Sequence, residues 1–227
     1  MAAEMRLDDF EAFARQVHAA LDALNQAREA ALTQARQLTR ASAYAIRAIH
    51  RSESDQADAF LAQARVLAEQ LQGLAQTYPQ IFYAGYTQDA LKEYAEATLT
   101  CAIIENRPLP TPEALNLDYA IYLNGLAEVV GELRRRCLDI LRQGYSEEAE
   151  RLLTWMDEIY NLLVTLDYPD ALTNNLRRQT DLVRGIVERT RGDLTLSLRE
   201  ERLQQALNRL AQQLPQTSDE PAPDSRL

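Results

Sequence analysis

YLNGLAEVVGELRRRCLDI, residues 122–140, decides the fold class. Tyr122, Leu126, Val129, Leu133, Cys137 and Ile140 recur at three and four residues, the spacing of one buried helical face. Two glycines interrupt the pattern, Gly125 and Gly131, and each costs a helix interior about 1 kcal/mol relative to alanine. Glu128 and Glu132 stand one turn apart, about 100° around the helix from the apolar stripe. Gly125 lies between them and the stripe. Arg135 and Arg136 share the flank of the two acids, and Arg134 points to the other side.

The same periodicity continues on both sides. Leu7 to about His50 reads as a first helix, with Phe10, Phe13, Val17, Leu21 and Leu24 forming an amphipathic stripe. At 1.5 Å per residue it would exceed about 60 Å, long enough to carry an assembly interface as well as core. Ser52–Asp55 forms a turn before a second helix that reaches about Thr77, with Phe60, Leu67, Leu71 and Leu74 as its stripe, widened by Leu61 and Val66. Tyr78–Pro79 stops it. A third helix fits Thr87–Asn106, and Pro108, Pro110 and Pro112 make a rigid loop after it. The fourth, Asp118–Gln143, stops at Gly144. Ser146 opens a fifth, to about Leu166. Tyr168–Pro169 precedes a sixth, to about Thr190, and Gly192 precedes a seventh, to about Gln213. The expectation is an all-α protein with one helical domain over residues 1–213. Residues 214–227 (LPQTSDEPAPDSRL), rich in Pro, Ser and acid from Pro215 onward, are expected to be a disordered tail.

Composition bounds the function. The chain of 227 residues is 46% hydrophobic and 26% charged, ordinary for a globular protein. It has no apolar run of membrane-spanning length and no signal-peptide pattern, so a cytoplasmic location and no membrane partner are expected. A net charge of −10 argues against nonspecific nucleic-acid binding by the whole surface. The basic residues are nearly all arginine, with Lys92 the only lysine, and arginine suits bidentate phosphate contacts. Arg36, Arg40, Arg47 and Arg51 form one stripe on the first helix, and with Arg135 they are the expected nucleic-acid contacts. Arg177, Arg178, Arg189 and Arg191 read as solvated or ion-paired. Cys101 and Cys137 fit no metal pattern and read as reduced, partly buried thiols.

A second acid pair, Glu93 and Glu96, lies in LKEYAEA on the third helix, roughly opposite Leu91, Tyr94, Ala95 and Thr98. If two helices bring the four carboxylates together, the cluster repels itself unless a cation neutralises it, and hard oxygen donors suit Mg²⁺ or Mn²⁺. Periodicity alone favours solvated faces, since glutamates at these spacings are common on helices. No Glu-x-x-His pair occurs, which disfavours a di-iron site. There is no P-loop and no GxSxG.

Together these motifs resemble the translin family. Tyr122-Leu-Asn-Gly125-Leu-Ala-Glu128-Val-Val-Gly131-Glu132-Leu-Arg134 is similar to the Trax pattern YLxGxADLxGELxR, and Leu91-Lys-Glu93-Tyr94-Ala-Glu96-Ala97 to its LQEYVEA. Arg40-Ala-Ser42 through Ile46, Ile49, His50 and Arg51 resembles the family's first helix. The resemblance covers most of residues 25–190. It implies a seven-helix bundle with a long first helix, and a homo-oligomer, expected as an octamer, enclosing single-stranded RNA or DNA. It implies further that Glu93, Glu96, Glu128 and Glu132 are the catalytic and metal-binding set of a Mg²⁺-dependent endoribonuclease. Glu128 stands where Trax has Asp, one methylene shorter. A non-catalytic translin-like assembly is the alternative. An all-α nucleotide pyrophosphohydrolase, which also uses helical glutamates around Mg²⁺, is a third reading.

Overall fold

The computed structural model describes residues 9–213, and the 214–227 tail lies outside them. The described residues form helices and no strand. Six long helices carry the fold: α1 Phe10–His50, α2 Ser54–Gln72, α5 Gly85–Ile104, α7 Tyr119–Leu141, α8 Glu147–Val164 and α10 Leu176–Gln213. Four single turns connect them: α3 Leu74–Thr77, α4 Pro79–Phe82, α6 Pro112–Leu115 and α9 Asp170–Thr173. No helix among the described residues is long and apolar enough to cross a membrane.

The boundaries follow local chemistry. Pro79 and Pro112 take first-turn positions, where the missing N–H has no helical partner to lose. The Ser146 side chain accepts from Glu148 N at the start of α8. Gly144, with φ +114°, follows α7 as expected. Ser52, at φ 61°, makes the turn into α2.

Two packed groups meet at α5 and α7. On one side α1 lies along α2 and α5; on the other, α8 and α10 lie along α7. The first group is rich in alanine: Ala31, Ala35, Ala41, Ala45 and Ala48 of α1 face Ala57, Ala64 and Ala68 of α2 and Ala90, Ala95 and Ala97 of α5 in the buried layer. Small side chains let helix axes approach closely. The second group is packed by larger residues, among them Leu133, Leu152, Met156, Leu163, Leu176 and Leu194. Each such side chain contributes about 1.5–3 kcal/mol on burial. Cys101 and Cys137 are both buried without a disulfide, and burial pushes their thiols up to about 12.

The structure alters three details of the expected layout. The sixth and seventh helices are one, because α10 runs through Gly192 without a break. The cost of glycine is small beside the burial of Val183, Val187, Thr190 and Leu194, which keep helical spacing across it. Arg134 of α7 adds an ion pair to Asp193 (2.9 Å). Val66 is exposed, and the apolar face of α2 is completed by Ala64 and Ala68 instead. Phe10, Phe13, Val17 and Leu21 also lie exposed, because the buried part of α1 starts only at Ala31.

Candidate metal centre

Gly125 sets the geometry. A Cβ at this position would sit 2.7 Å from Ala95 Cβ, 3.0 Å from the Lys92 carbonyl and 3.2 Å from the Glu96 nitrogen. The axis of α7 therefore rests almost directly on the backbone of α5, which an alanine would prevent. Gly131, by contrast, faces open space. The close crossing brings the two acid motifs together. Glu93, Glu96 and Glu128 each offer a carboxylate oxygen within 4.8 Å of the others. Glu96 is only 9% exposed, so it lies on no solvated face.

Glu132 stands one turn further along α7 and faces the end of α1. Its Oε2 is 2.5 Å from His50 Nε2 and 3.5 Å from Arg135. The His50 side chain is 3% exposed, its carbonyl accepts from Arg136 Nη1 (3.2 Å), and its Nδ1 has no partner among the described residues. The structure thus brings three of the four expected acids into one cluster and ties the fourth to a histidine beside it.

Burial and mutual repulsion govern the charges. Burial, then the charges of Glu128, Glu93 and Glu132, pushes Glu96 up to about 8. Burial also raises Glu93. Glu132 goes the other way: the His50 hydrogen bond, against the opposing effect of burial, holds it below the ordinary carboxylate range. The cluster's resident positive charge is Lys92, whose Nζ donates to Glu128 Oε1 at 2.6 Å and lies 3.8 Å from Glu93. Burial acts to lower the Lys92 pKa, but the Glu128 hydrogen bond and the surrounding acids together raise it. Gln179 Nε2 of α10 reaches the same Glu128 oxygen at 3.5 Å.

The expected arginine contacts are all on the surface. Arg36, Arg40, Arg47 and Arg51 are exposed along α1. Arg40 Nε donates to the Tyr44 hydroxyl (2.9 Å), and the Arg40 and Arg47 guanidiniums lie 5.3 and 5.5 Å from the Tyr44 ring centre. Arg51 adjoins His50, and Arg135 touches Glu132, so these two flank the acids most closely. Tyr94 is packed in the core. Lys92, His50 and Gln179 were not among the expected site residues. The one available signal was Lys92, a solitary lysine directly before Glu93. The His50–Glu132 contact spans 82 residues and leaves no local trace.

The fold and site define an all-α bundle with carboxylates gathered at one close helix crossing. No protein-family model matches the chain. An uncharacterized protein of Methanocaldococcus jannaschii is 33% identical over 186 residues, 81% of this chain and 82% of that one. Among solved structures, AfC3PO in complex with duplex RNA is similar at 34% identity and a TM-score of 0.74, over 81% of this chain and 95% of that chain. AfC3PO alone gives 32% and 0.75 over the same shares. Apo-NeC3PO, at 21% identity and a TM-score of 0.75 over 86% of this chain, shares the fold. The chain belongs to the translin family, with the C3PO proteins.

Proposed function

We propose that this chain is an RNA-binding subunit of an oligomeric translin-type assembly and a divalent-cation-dependent endoribonuclease of the Trax type, acting on single-stranded RNA. The observation that carries this reading is the convergence of Glu93, Glu96 and Glu128 around a partly buried point. A relative described as a complex with duplex RNA makes RNA the ligand class to test first.

The donor set fits Mg²⁺ or Mn²⁺. An octahedral ion with ligands at about 2.0–2.1 Å spans roughly 4 Å, and these oxygens lie within 4.8 Å of one another. All donors are hard carboxylates, with no sulfur or imidazole within the set. Glu93, Glu96 and Glu128 would hold the ion, which when bound would activate water and neutralise charge developing on the phosphoryl oxygens. Glu132, held below the ordinary carboxylate range by His50, adds a negative charge beside the set. Lys92 supplies the counter-charge to Glu128 in the described structure. Arg51, next to His50, and Arg135, beside Glu132, would contact the phosphates of a strand entering the site.

One observation favours the non-catalytic alternative, an RNA- or DNA-binding assembly without chemistry: the Lys92 ammonium donates to Glu128 Oε1 at 2.6 Å and balances its charge. Membership of the translin family leaves the pyrophosphohydrolase reading without support. The deciding experiment incubates labelled single-stranded RNA with the protein and Mg²⁺, then with the Glu128→Ala/Glu132→Ala variant. Cleavage by the unmutated protein alone is the expected result. Binding without cleavage in the unmutated protein sinks the nuclease, and cleavage that survives in the variant sinks the site assignment. Duplex RNA and DNA run in parallel define the substrate.

A further inference from the structure

A cavity of about 340 Å³ opens beside the carboxylates, between α5, α7 and the start of α10. Lys92 and Gln179 belong to its wall, and both reach Glu128 Oε1, so the cavity and the acid cluster share an edge. Five side-chain amides line it, Gln88, Asn124, Asn174, Asn175 and Gln179, with one acid, Asp89. Asn124 is 5% exposed, and its Nδ2 donates to the carbonyls of Ala120 and Thr173, both at 2.8 Å. Both donors of that amide are thereby used, which leaves Oδ1 as the atom that can accept from a ligand. Asn174 and Asn175 lie side by side in the left-handed region, at φ 51° and 64°. The one cation on this wall besides Lys92 is Arg178. Its neighbour Arg177 is tied to Asp167 at 2.7 Å, whereas Arg178 makes no ion pair or hydrogen bond among the described residues.

This lining is matched to a nucleotide. Side-chain amides carry donor and acceptor in one plane, the arrangement that pairs with the edge of an unstacked base. An unpaired guanidinium presents a planar fork that fits phosphate oxygens. The volume lies at the lower end of small-ligand sites, enough for one nucleotide and too small for a stacked duplex. We propose that the cavity holds one splayed-out nucleotide of an RNA strand, its phosphate on Arg178 and its base edge against Asn124, Asn175 and Gln179. The strand itself is supplied by the ribonuclease reading above, on which the inference rests. A base held here sits at the rim of the carboxylate cluster, so the cavity selects the nucleotide next to the point of cleavage.

The test uses the full chain in metal-free buffer, titrated calorimetrically with the four nucleoside 5′-monophosphates and with inorganic phosphate. The variant is Arg178→Gln with Asn175→Gly; glycine keeps the left-handed backbone at 175 while removing the amide. Thermal melting checks that the variant is folded. At least one nucleotide is expected to bind about tenfold more tightly than phosphate, and the double variant to lose about tenfold of that affinity. Inorganic phosphate binding as tightly as every nucleotide overturns the proposal, as does unchanged nucleotide affinity in a folded variant. Cleavage of labelled RNA in Mg²⁺ separates this outcome from the ribonuclease reading. Nucleotide binding without cleavage leaves the cavity standing and removes the nuclease. Cleavage at unchanged positions by the double variant, with no nucleotide binding by either protein, removes the cavity and leaves the nuclease.

Discussion

At the scale of single residues, Glu96 and Lys92 set the character of the site. Glu96 has its pKa raised in the folded chain from an ordinary 4.5 to about 8. Between those values the folded state keeps a proton that the unfolded state releases. Its contribution is therefore complete below about 4.5 and lost as pH rises through about 8. At about 1.4 kcal/mol per pKa unit the effect reaches a few kcal/mol. Glu96→Gln is expected to flatten this decline, raising the melting temperature at pH 9 relative to the unmutated chain and leaving it little changed at pH 4.5; denaturation across that range in EDTA checks it. Glu132 carries the opposite sign, stabilising above the ordinary carboxylate range and losing that stabilisation as pH falls. Lys92→Met removes the ammonium that competes for Glu128, so Mn²⁺ affinity measured by calorimetry should rise about tenfold. Equal or weaker affinity in the variant would mean that Lys92 does not occupy the cation's place. The four glutamates were legible as two helical pairs at fixed spacing. Which of them converge depends on how α5 crosses α7, and that His50 draws Glu132 aside depends on where α1 ends; no local pattern encodes either.

At the scale of helices, the two glycines of α7 have separate roles. Gly125→Ala drives a methyl into Ala95 and the α5 backbone, where neither neighbour is a flexible side-chain end. The expected cost is about 1–3 kcal/mol, the range for overpacked cores, with weaker metal binding as α5 and α7 separate. Gly131→Ala meets nothing and should stabilise the helix by about 0.5–1 kcal/mol. Urea denaturation of both variants reads the contrast, and equal effects would remove the close-crossing account. Most helix limits were legible because proline, Gly144 and Ser146 act locally. Gly192 misled because a glycine signals a stop only where no burial continues beyond it. Here Leu194 continues the buried face of Val187 and Thr190. Exposure of Val66 was likewise invisible, since alanines on the other side of α2 suffice for the close approach of α1.

At the scale of the molecule, the long helices extend past the packed region. Burial on α1 begins at Ala31, although the helix starts at Phe10, and burial on α10 ends at Leu194, although it runs to Gln213. The protruding ends display Phe10, Phe13, Val17 and Leu21 on one and Leu203, Leu207 and Leu210 on the other. In the proposed assembly such faces would form the contacts between copies. Phe13→Glu with Val17→Glu should reduce the mass seen by light scattering without unfolding the core, whose circular dichroism and melting remain as controls; unchanged mass would exclude this face as a contact. In the proposed assembly a second copy of the chain would cover the first five turns of α1, which carry no buried residue of their own. Folding of the ends then obeys mass action. Dilution should speed amide exchange between Phe10 and Leu24 while leaving exchange at Leu38 to Ile49 unaltered, making protein concentration itself a determinant of how much of the chain is helix.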